Sequence, residues 1–522
     1  MMRRTLVAAL AAASVLSAAC SSTTDKSGNA AGSGSEALES GAGTGGAASA
    51  GPGASAAATK PGSGKAGTTG GAGTTSGAGG TSAGGATGGS GGASTGAAGG
   101  ATGGGPLNKS EIKIGYAVID TTGFSALTGA SDPTTSDQNA GENSSRGHQE
   151  FQALVKYAND TGGVGGRKIV AKGYDVPVTS NNDERTRVCV TATEDAKVKV
   201  FIDQSIMLGQ DQWNCFAQHK VSFVGLLQGT DQRGMAPLKP YVATTFAGTD
   251  RQATAVVSGL NSLGYFKGAK VGVALTDTPS NDRMFKQTLV PALNRIGIKS
   301  VESVKLSPPY SAQVGSQAAN GVFRFKNAGV NRVIMFVGLL EYLAFTKQAT
   351  SQDFHPNYAF PDYQGIAGLA RIYGDDDSNK DSYAVSSDLV ATSDTAKPEP
   401  DDAPIDRKSL PPGAQKCLDV YSKYLKVNYY DSPSKSGISA AALYFCDHFF
   451  AWLASARQAG AAWTPGDLIP GLTSLGRGYQ PTRVHADDFS GGRMDGASDY
   501  RIGKWNTDCA CFAAITPWRG FP

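Results

Sequence analysis

The sequence predicts an α/β protein whose folded part builds parallel sheets covered by helices on both faces and divides into two domains. Three observations predict it. Strand-like and helix-like stretches alternate through most of the chain. Folded sequence starts near Glu111 and leaves about 412 of the 522 residues, more than one hydrophobic core normally holds. The material before it is of a different kind and cannot build a core.

That leading material starts as a targeting segment. Arg3 and Arg4 give a positive start, and Leu6 to Leu16 is an apolar run of eleven, too short to span a bilayer. The run stops at Ser17-Ala18-Ala19-Cys20. Small residues before a cysteine resemble the lipobox of bacterial lipoproteins, in which the cysteine is acylated and becomes the new N-terminus. Residues 1–20 are then a signal peptide and Cys20 the lipidation site. The plainer reading is a secretory signal cleaved near Ala19.

Residues 21 to 105 hold thirty of the chain's 69 glycines, six charged residues and no aromatic one. They offer almost no apolar surface to offset ordering entropy, so residues 21–106 read as a disordered tether spanning roughly 50 Å. The tether also generates chance motifs: Gly88 to Gly92 imitates a hydrolase elbow, Gly41-x-Gly43-x-x-Gly46 a dinucleotide fingerprint, and Gly62-Ser63-Gly64-Lys65 a phosphate loop. Neither of the first two lies between a strand and a helix, and the third lacks the leading Gly and has Ala66 where magnesium needs a Ser or Thr. No other segment is apolar for eighteen residues, and a net charge of +3 argues against a nucleic-acid partner.

In the folded part Ile112 to Val118 reads as a strand, followed by a long polar loop. Phe151, Leu154, Val155 and Ala158 then share one helical face, and the glycines from Gly162 to Gly166 end that helix. Strands follow at Lys168 to Lys172, Val198 to Ile202 and Val221 to Gly225. Further strands are Lys270 to Leu275, Ser300 to Leu306 and Arg332 to Val337, with helical stretches between, including Asp282 to Arg295. In such sheets ligands sit beyond the carboxyl ends of the strands.

Ile112 to Gly115, Gly147 to Asn159, Gly162-Gly163-Val164-Gly165-Gly166-Arg167-Lys168-Ile169 and Tyr174-Asp175 resemble type I periplasmic binding proteins, in particular the branched-chain amino-acid binding family of ABC-transporter lipoproteins. Tyr383 to Val385 looks like one of the family's later strands, and Cys417 to Tyr430, Gly437 to Gly460 and Leu468 to Leu475 like its late helices. The resemblance implies that 107–522 is a solute-binding domain of two doubly wound parallel-sheet lobes joined by three crossovers. These fall near Ala247 to Asp250, Gly365 to Arg371 and Gly476 to Pro481. Lobe one is then 111–247 with 372–476, and lobe two 248–371 with 477–522. The lobes close like a clamshell around a small molecule. The implied partners are ABC permease and ATPase subunits, and the membrane through the lipid anchor only. The implied location is the outer face of the cell membrane or the periplasm, with no cofactor and no catalysis.

Setting Cys20 aside leaves six of seven cysteines, an even number for an oxidising compartment. Cys189 and Cys215 sit on successive helices where the family often carries a disulfide. Cys417 and Cys446 could bridge, which leaves Cys509 and Cys511, whose Cys-x-Cys bridge needs a turn. Buried thiols remain the alternative. The scattered histidines give no zinc spacing. Asp375, Asp377, Asn379 and Asp381 alternate as in a calcium loop but lack its Gly and Glu, so they read as a solvated turn.

Carry-over from the family gives the candidate ligand contacts. On lobe one these are Arg146, Ser205, Met207, Leu227, Gln228 and Thr230. On lobe two they are Asp277, Asn281, Leu339, Glu341, Asp362 and Gln364, with the family's ammonium-binding acid falling at Gln364 or Asp362. The loops read Ser205-Ile206-Met207-Leu208, Leu226-Leu227-Gln228 and Leu339-Leu340, more apolar than an amino-acid site needs. The expected ligand is an amino acid or, better, a less polar organic solute, with Arg146 holding any carboxylate. The leucines could equally be sheet core. The competing functions are a sensor domain built on the same clamshell and an exported hydrolase. For the latter only Ser432-Pro433-Ser434-Lys435, in a loop, imitates a motif.

Overall fold

The computed structural model describes residues 108–120, 122, 133–226, 229–307, 313–367, 379–389, 391–392, 406–431 and 440–522. These residues fall in one compact unit. The signal peptide with Cys20, the tether with its chance motifs, Leu227, Gln228, Asp375, Asp377 and Ser432 to Lys435 lie outside them.

The first lobe grows from β1 (Asn108–Asp120), α1 (Pro133–Asp160), β2 (Arg167–Pro177), α2 (Asn182–Val190), β3 (Val200–Asp203), α3 (Gln210–Gln218), β4 (Ser222–Gly225), the short α4 (Gln232–Met235) and β5 (Val242–Ala243). Its five strands run in the order β2-β1-β3-β4-β5, all parallel. The face read from periodicity is the buried one: Phe151, Leu154 and Ala158 are fully buried. α1 starts at Pro133, well inside the stretch read as a polar loop. Proline suits a first helical position, and the polar residues that follow it supply no apolar stripe for periodicity to find.

The second lobe holds α5 (Thr249–Ser262), β6 (Val271–Thr276), α6 (Pro279–Met284), a wide turn at Phe285–Leu289, α7 (Val290–Arg295), β7 (Val301–Leu306), α8 (Val314–Ala328), β8 (Arg332–Phe336), α9 (Leu339–Ser351), β9 (Asn357–Pro361) and β10 (Tyr383–Ser386). After the chain returns through the first lobe, β11 (Asp499–Asn506), β12 (Cys511–Ala514) and β13 (Arg519–Gly520) complete the sheet. Strands β7, β6, β8, β9 and β10 are parallel; β11 and β12 close the edge antiparallel, with β13 on β11.

Between β10 and β11 lie α10 (Pro412–Leu425), α11 (Ala440–Ala459) and α12 (Leu468–Leu475), whose Cys417, Phe449, Trp452 and Leu472 belong to the first core. This corrects the expected boundaries. Tyr383–Ser386 pairs with β9 and β11 in the second sheet, and Ala391 is in the second core. The second crossover therefore follows Thr392 instead of lying near Gly365 to Arg371. A run of four strand-forming residues does not state which sheet it joins; pairing partners decide that. The last crossover also runs later than expected, because Tyr479, Phe489 and Met494 still pack into the first core. At the hinge Thr244 pairs with Asp495 and Asp388 with Val484.

Among the described residues three disulfides are present. Cys189–Cys215 joins α2 to α3, and Cys417–Cys446 joins α10 to α11. Cys509–Cys511 spans the turn between β11 and β12, where Ala510 has a φ of 48°.

Candidate ligand cleft

The carboxyl ends of the two sheets meet each other. Gly229, after β4, has a φ of 66°, and a side chain there would start 2.5 Å from the Tyr363 hydroxyl of the second lobe. Val178, at the end of β2, packs with Ile119 and with Leu339 and Leu340 across the cleft. An ion pair also crosses: Arg283 of α6 donates to both oxygens of Asp231, the N-cap of α4, at 2.7 and 3.0 Å. Burial resists the Asp231 charge, but the Arg283 bonds outweigh it and hold the carboxyl below its ordinary range. The two lobes are closed.

On the first lobe the sheet order reverses direction between β1 and β3. Asp203 ends β3 there, and its Oδ1 accepts from the Ser205 amide at 2.9 Å and hydroxyl at 2.7 Å. Burial pushes this carboxyl up to about 7. Gln204 and the Asp203 carbonyl both lie within hydrogen-bond reach of His448 Nδ1, at 3.0 and 3.2 Å, and burial pulls His448 down to about 3, so its ring is neutral. Ser205 is fully buried, and Thr230 donates to Gln210 at 3.4 Å. Met207 and Leu208 belong to the first core, where the Met207 carbonyl accepts from Arg185 at 2.9 Å.

The second sheet reverses direction between β6 and β8. Thr276 ends β6 and donates to Glu341 Oε1 at 3.0 Å. Asn281 donates to the Thr276 carbonyl at 2.8 Å and to the Tyr363 hydroxyl at 2.9 Å. Burial lifts the Glu341 carboxyl to about 7. Leu339 packs both against the second core and against Val178 of the first lobe at the cleft. Gln364 is half-buried beside Gly338.

Three candidates are committed elsewhere. Arg146 pairs with buried Glu150 at 3.2 Å and lies 5.7 Å over the Tyr429 ring, so its charge balances a carboxylate inside the first lobe. The cation expected to hold a ligand carboxylate is thus paired within the first lobe, on a helix face that packs toward Tyr429. Asp277 is exposed and bound to Lys305 at 3.2 Å. Asp362 accepts from the Ser386 hydroxyl and from the Ser387 amide and hydroxyl, which consumes the acid expected to meet an ammonium. Sequence reasoning missed Tyr363, though it sits between two named candidates, and missed Thr276, His448 and the Asp231–Arg283 pair.

A hollow of about 380 Å³ lies at the hinge, lined by residues such as Arg477, Tyr479, His485 and Asp499. It takes no residue from the loops after β1, β3, β4, β6, β8 or β9 and is separate from the cleft. Among the described residues no cluster could hold a metal ion, and no helix is long and apolar enough to cross a membrane.

A family model described as periplasmic binding protein matches residues 129–509. The chain belongs to the periplasmic binding protein family. This family of solute-binding proteins works outside the cytoplasm, and the two-lobed α/β architecture is its type I fold. No curated protein matches the sequence. Among solved structures, a branched-chain amino-acid ABC transporter protein from Thermus thermophilus with bound valine is 15% identical, covering 79% of this chain and 97% of its own, with a TM-score of 0.54. A fatty-acid ABC transporter substrate-binding protein from Thermomonospora curvata is 14% identical, with coverages of 80% and 94% and a TM-score of 0.52. A solute-binding protein from Rhodopseudomonas palustris in complex with a dihydroxybenzoic acid is 16% identical, with coverages of 76% and 93% and a TM-score of 0.50. At these identities the likeness is one of fold.

Proposed function

We propose that this periplasmic binding protein is an exported lipoprotein, anchored through Cys20, that closes its lobes around a small, largely apolar molecule and delivers it unchanged to ABC permease and ATPase subunits. The observation that carries the reading is the cleft: two strand-end faces in contact through Ile119, Val178, Leu339 and Leu340, and locked by Asp231 and Arg283. Burying apolar ligand surface there contributes roughly 25 cal/mol per Å². Ser205, Thr230, Asn281, Leu339, Glu341 and Gln364 remain the proposed contacts, with Leu227 and Gln228 from the loop after β4.

The test is native mass spectrometry of the purified protein before and after denaturation, paired with small-angle scattering. A released small molecule whose removal opens the lobes is the expected result. An empty protein that stays equally closed after denaturation and refolding would refute ligand capture. Calorimetry with leucine, isoleucine and valine should show weak or no binding, since Asp362 is consumed and Arg146 is withdrawn. Micromolar binding of any of them would sink the apolar-ligand reading.

A further inference from the structure

The disulfides are built on different plans. Cys189–Cys215 and Cys417–Cys446 each join two helices that pack into the first core, across sequence separations of 26 and 29 residues. Cys509–Cys511 closes a ring around one residue, Ala510. A bridge stabilises by removing freedom from the unfolded chain, and that gain shrinks with the loop it closes. The enclosed Ala510 has a φ of 48°, a left-handed conformation that crowds its Cβ against the following carbonyl. The closed ring therefore holds a backbone that an open one is free to leave. The two sulfurs also differ in access. Cys511 begins β12 and is 2% exposed, whereas Cys509 is half-buried in the turn, with Thr507 and Asp508 exposed before it. Cys189, Cys417 and Cys446 are fully buried. Cys215 is half-buried as well, so access alone does not set the third bridge apart; the one-residue ring does.

The hairpin that carries this bridge has other supports. Trp505 pairs with Phe512 and Lys504 with Ala513, and both aromatic rings lie in the second core. The turn keeps a bond of its own, from the Asp508 amide to Asn506 Oδ1 at 2.8 Å.

We propose that Cys509–Cys511 is a thiol–disulfide exchange site, which an external dithiol opens and an external disulfide closes again while the two inter-helix bridges stay intact. A thiolate of the dithiol attacks the accessible Cys509 sulfur, the S–S bond breaks, and the electron pair leaves on Cys511, which takes a proton. Cys511 lies two residues away and re-attacks a mixed disulfide at Cys509, so a monothiol is expelled. A dithiol escapes this return. Its second thiolate attacks its own sulfur in the mixed disulfide, frees Cys509 as a thiol and departs as a cyclic disulfide. The bridge gains two electrons and the dithiol loses two. Opening relaxes Ala510 and leaves the strand pairing in place, so the change stays at the edge of the second sheet.

The test exposes the folded, unaltered protein to dithiothreitol as the dithiol and to glutathione as the monothiol, with acid quenching and peptide mass mapping. Cys509–Cys511 should open about tenfold faster in dithiothreitol than either inter-helix bridge. Glutathione should leave a minor adduct confined to Cys509, and oxidised glutathione should re-form the opened bridge. Hydrogen exchange of the dithiol-treated protein should quicken in residues 506–511 while β11 and the rest of the second sheet stay protected. Opening of an inter-helix bridge first or at the same rate overturns the proposal. So do an adduct on Cys511, a bridge that does not re-form, and a loss of protection that spreads through the sheet.

Discussion

The two lobes share one wiring and treat it differently. In the first, the purely parallel sheet is covered by helices cross-linked through Cys189–Cys215 and Cys417–Cys446, and the loop after β3 is knit into its own hydrogen bonds through Asp203, Ser205, Gln204 and His448. Among the described residues the second lobe carries the short Cys509–Cys511 bridge and ends in antiparallel strands, while both lobes leave buried polar atoms without a partner at their strand ends, Asp203 Oδ2 and His448 Nε2 in the first and Asn281 Oδ1 and Glu341 Oε2 in the second. The difference teaches that two lobes of one wiring can be secured in different ways. One lobe is stapled across its helices, and the other is closed at its sheet edge by antiparallel strands.

The largest effect should come from unstapling the first lobe. The bridges Cys189–Cys215 and Cys417–Cys446 span sequence separations of 26 and 29 residues. Loop-closure entropy for such loops contributes about 3.5 kcal/mol each. Cys189→Ala with Cys215→Ala should lower the melting temperature by several degrees, and hydrogen exchange should speed up in α2 and α3 while the second sheet stays protected. Equal loss of protection in both lobes would erase the contrast between them.

Next in size is the Glu341 titration. Its carboxyl moves from 4.5 to about 7, chiefly through burial, with the Thr276 hydroxyl opposing. Because the folded value is the higher one, its contribution to stability is complete below the unfolded value and is lost as pH rises through about 7. The loss above that point is about 3 kcal/mol. Glu341→Gln should therefore narrow the gap in melting temperature between about pH 5 and about pH 8. Asp203 is raised to about 7 by burial as well, so Asp203→Asn should do the same in the first lobe. If neither variant changes the pH profile, the two acids are not protonated on folding.

The link between the lobes comes third. Arg283→Gln removes the charge partner of Asp231, whose side chain is 6% exposed. The pair joins the two lobes across the cleft, so its loss should favour the open form by about 2 kcal/mol. An interlobe fluorescence pair should report a more open population and a ligand affinity lowered by more than tenfold. Unchanged closure would mean that the apolar contacts at Val178 carry it alone.

Much of the fold was legible because it depends on local patterning. The stripe from Phe151 to Ala158 and the strand runs Ser300 to Leu306 and Arg332 to Val337 agree with the structure to within a residue. What escaped was decided by long-range pairing. Tyr383 to Ser386 reads as a strand in any sheet, and only its register against Ala359 and Lys504 places it in the second. Asp231 and Arg283 lie 52 residues apart and carry no motif. The site was legible as a set of loops after strands, and less so as side-chain roles. The family pattern supplies a position but not the hydrogen bonds that consume a residue, as Ser386 and Ser387 consume Asp362.

Arg146 gives the smallest expected effect on ligand binding and the sharpest test of that last point. From the sequence it is the lobe-one cation best placed to hold a carboxylate. In the folded protein it faces Glu150, whose carboxyl burial pushes up and Arg146 pulls back. Removing the guanidinium leaves a buried acid without its partner, so Arg146→Gln should cost about 2 kcal/mol of stability, discounted because Arg146 itself is partly exposed. Glu150 would then stay protonated to higher pH, and the stability loss should grow as pH rises. Affinity for the co-purified compound should stay within about twofold, because nothing on the cleft face changes. A tenfold loss of affinity with unchanged stability would reverse the assignment, making Arg146 a ligand anchor and Glu150 its support.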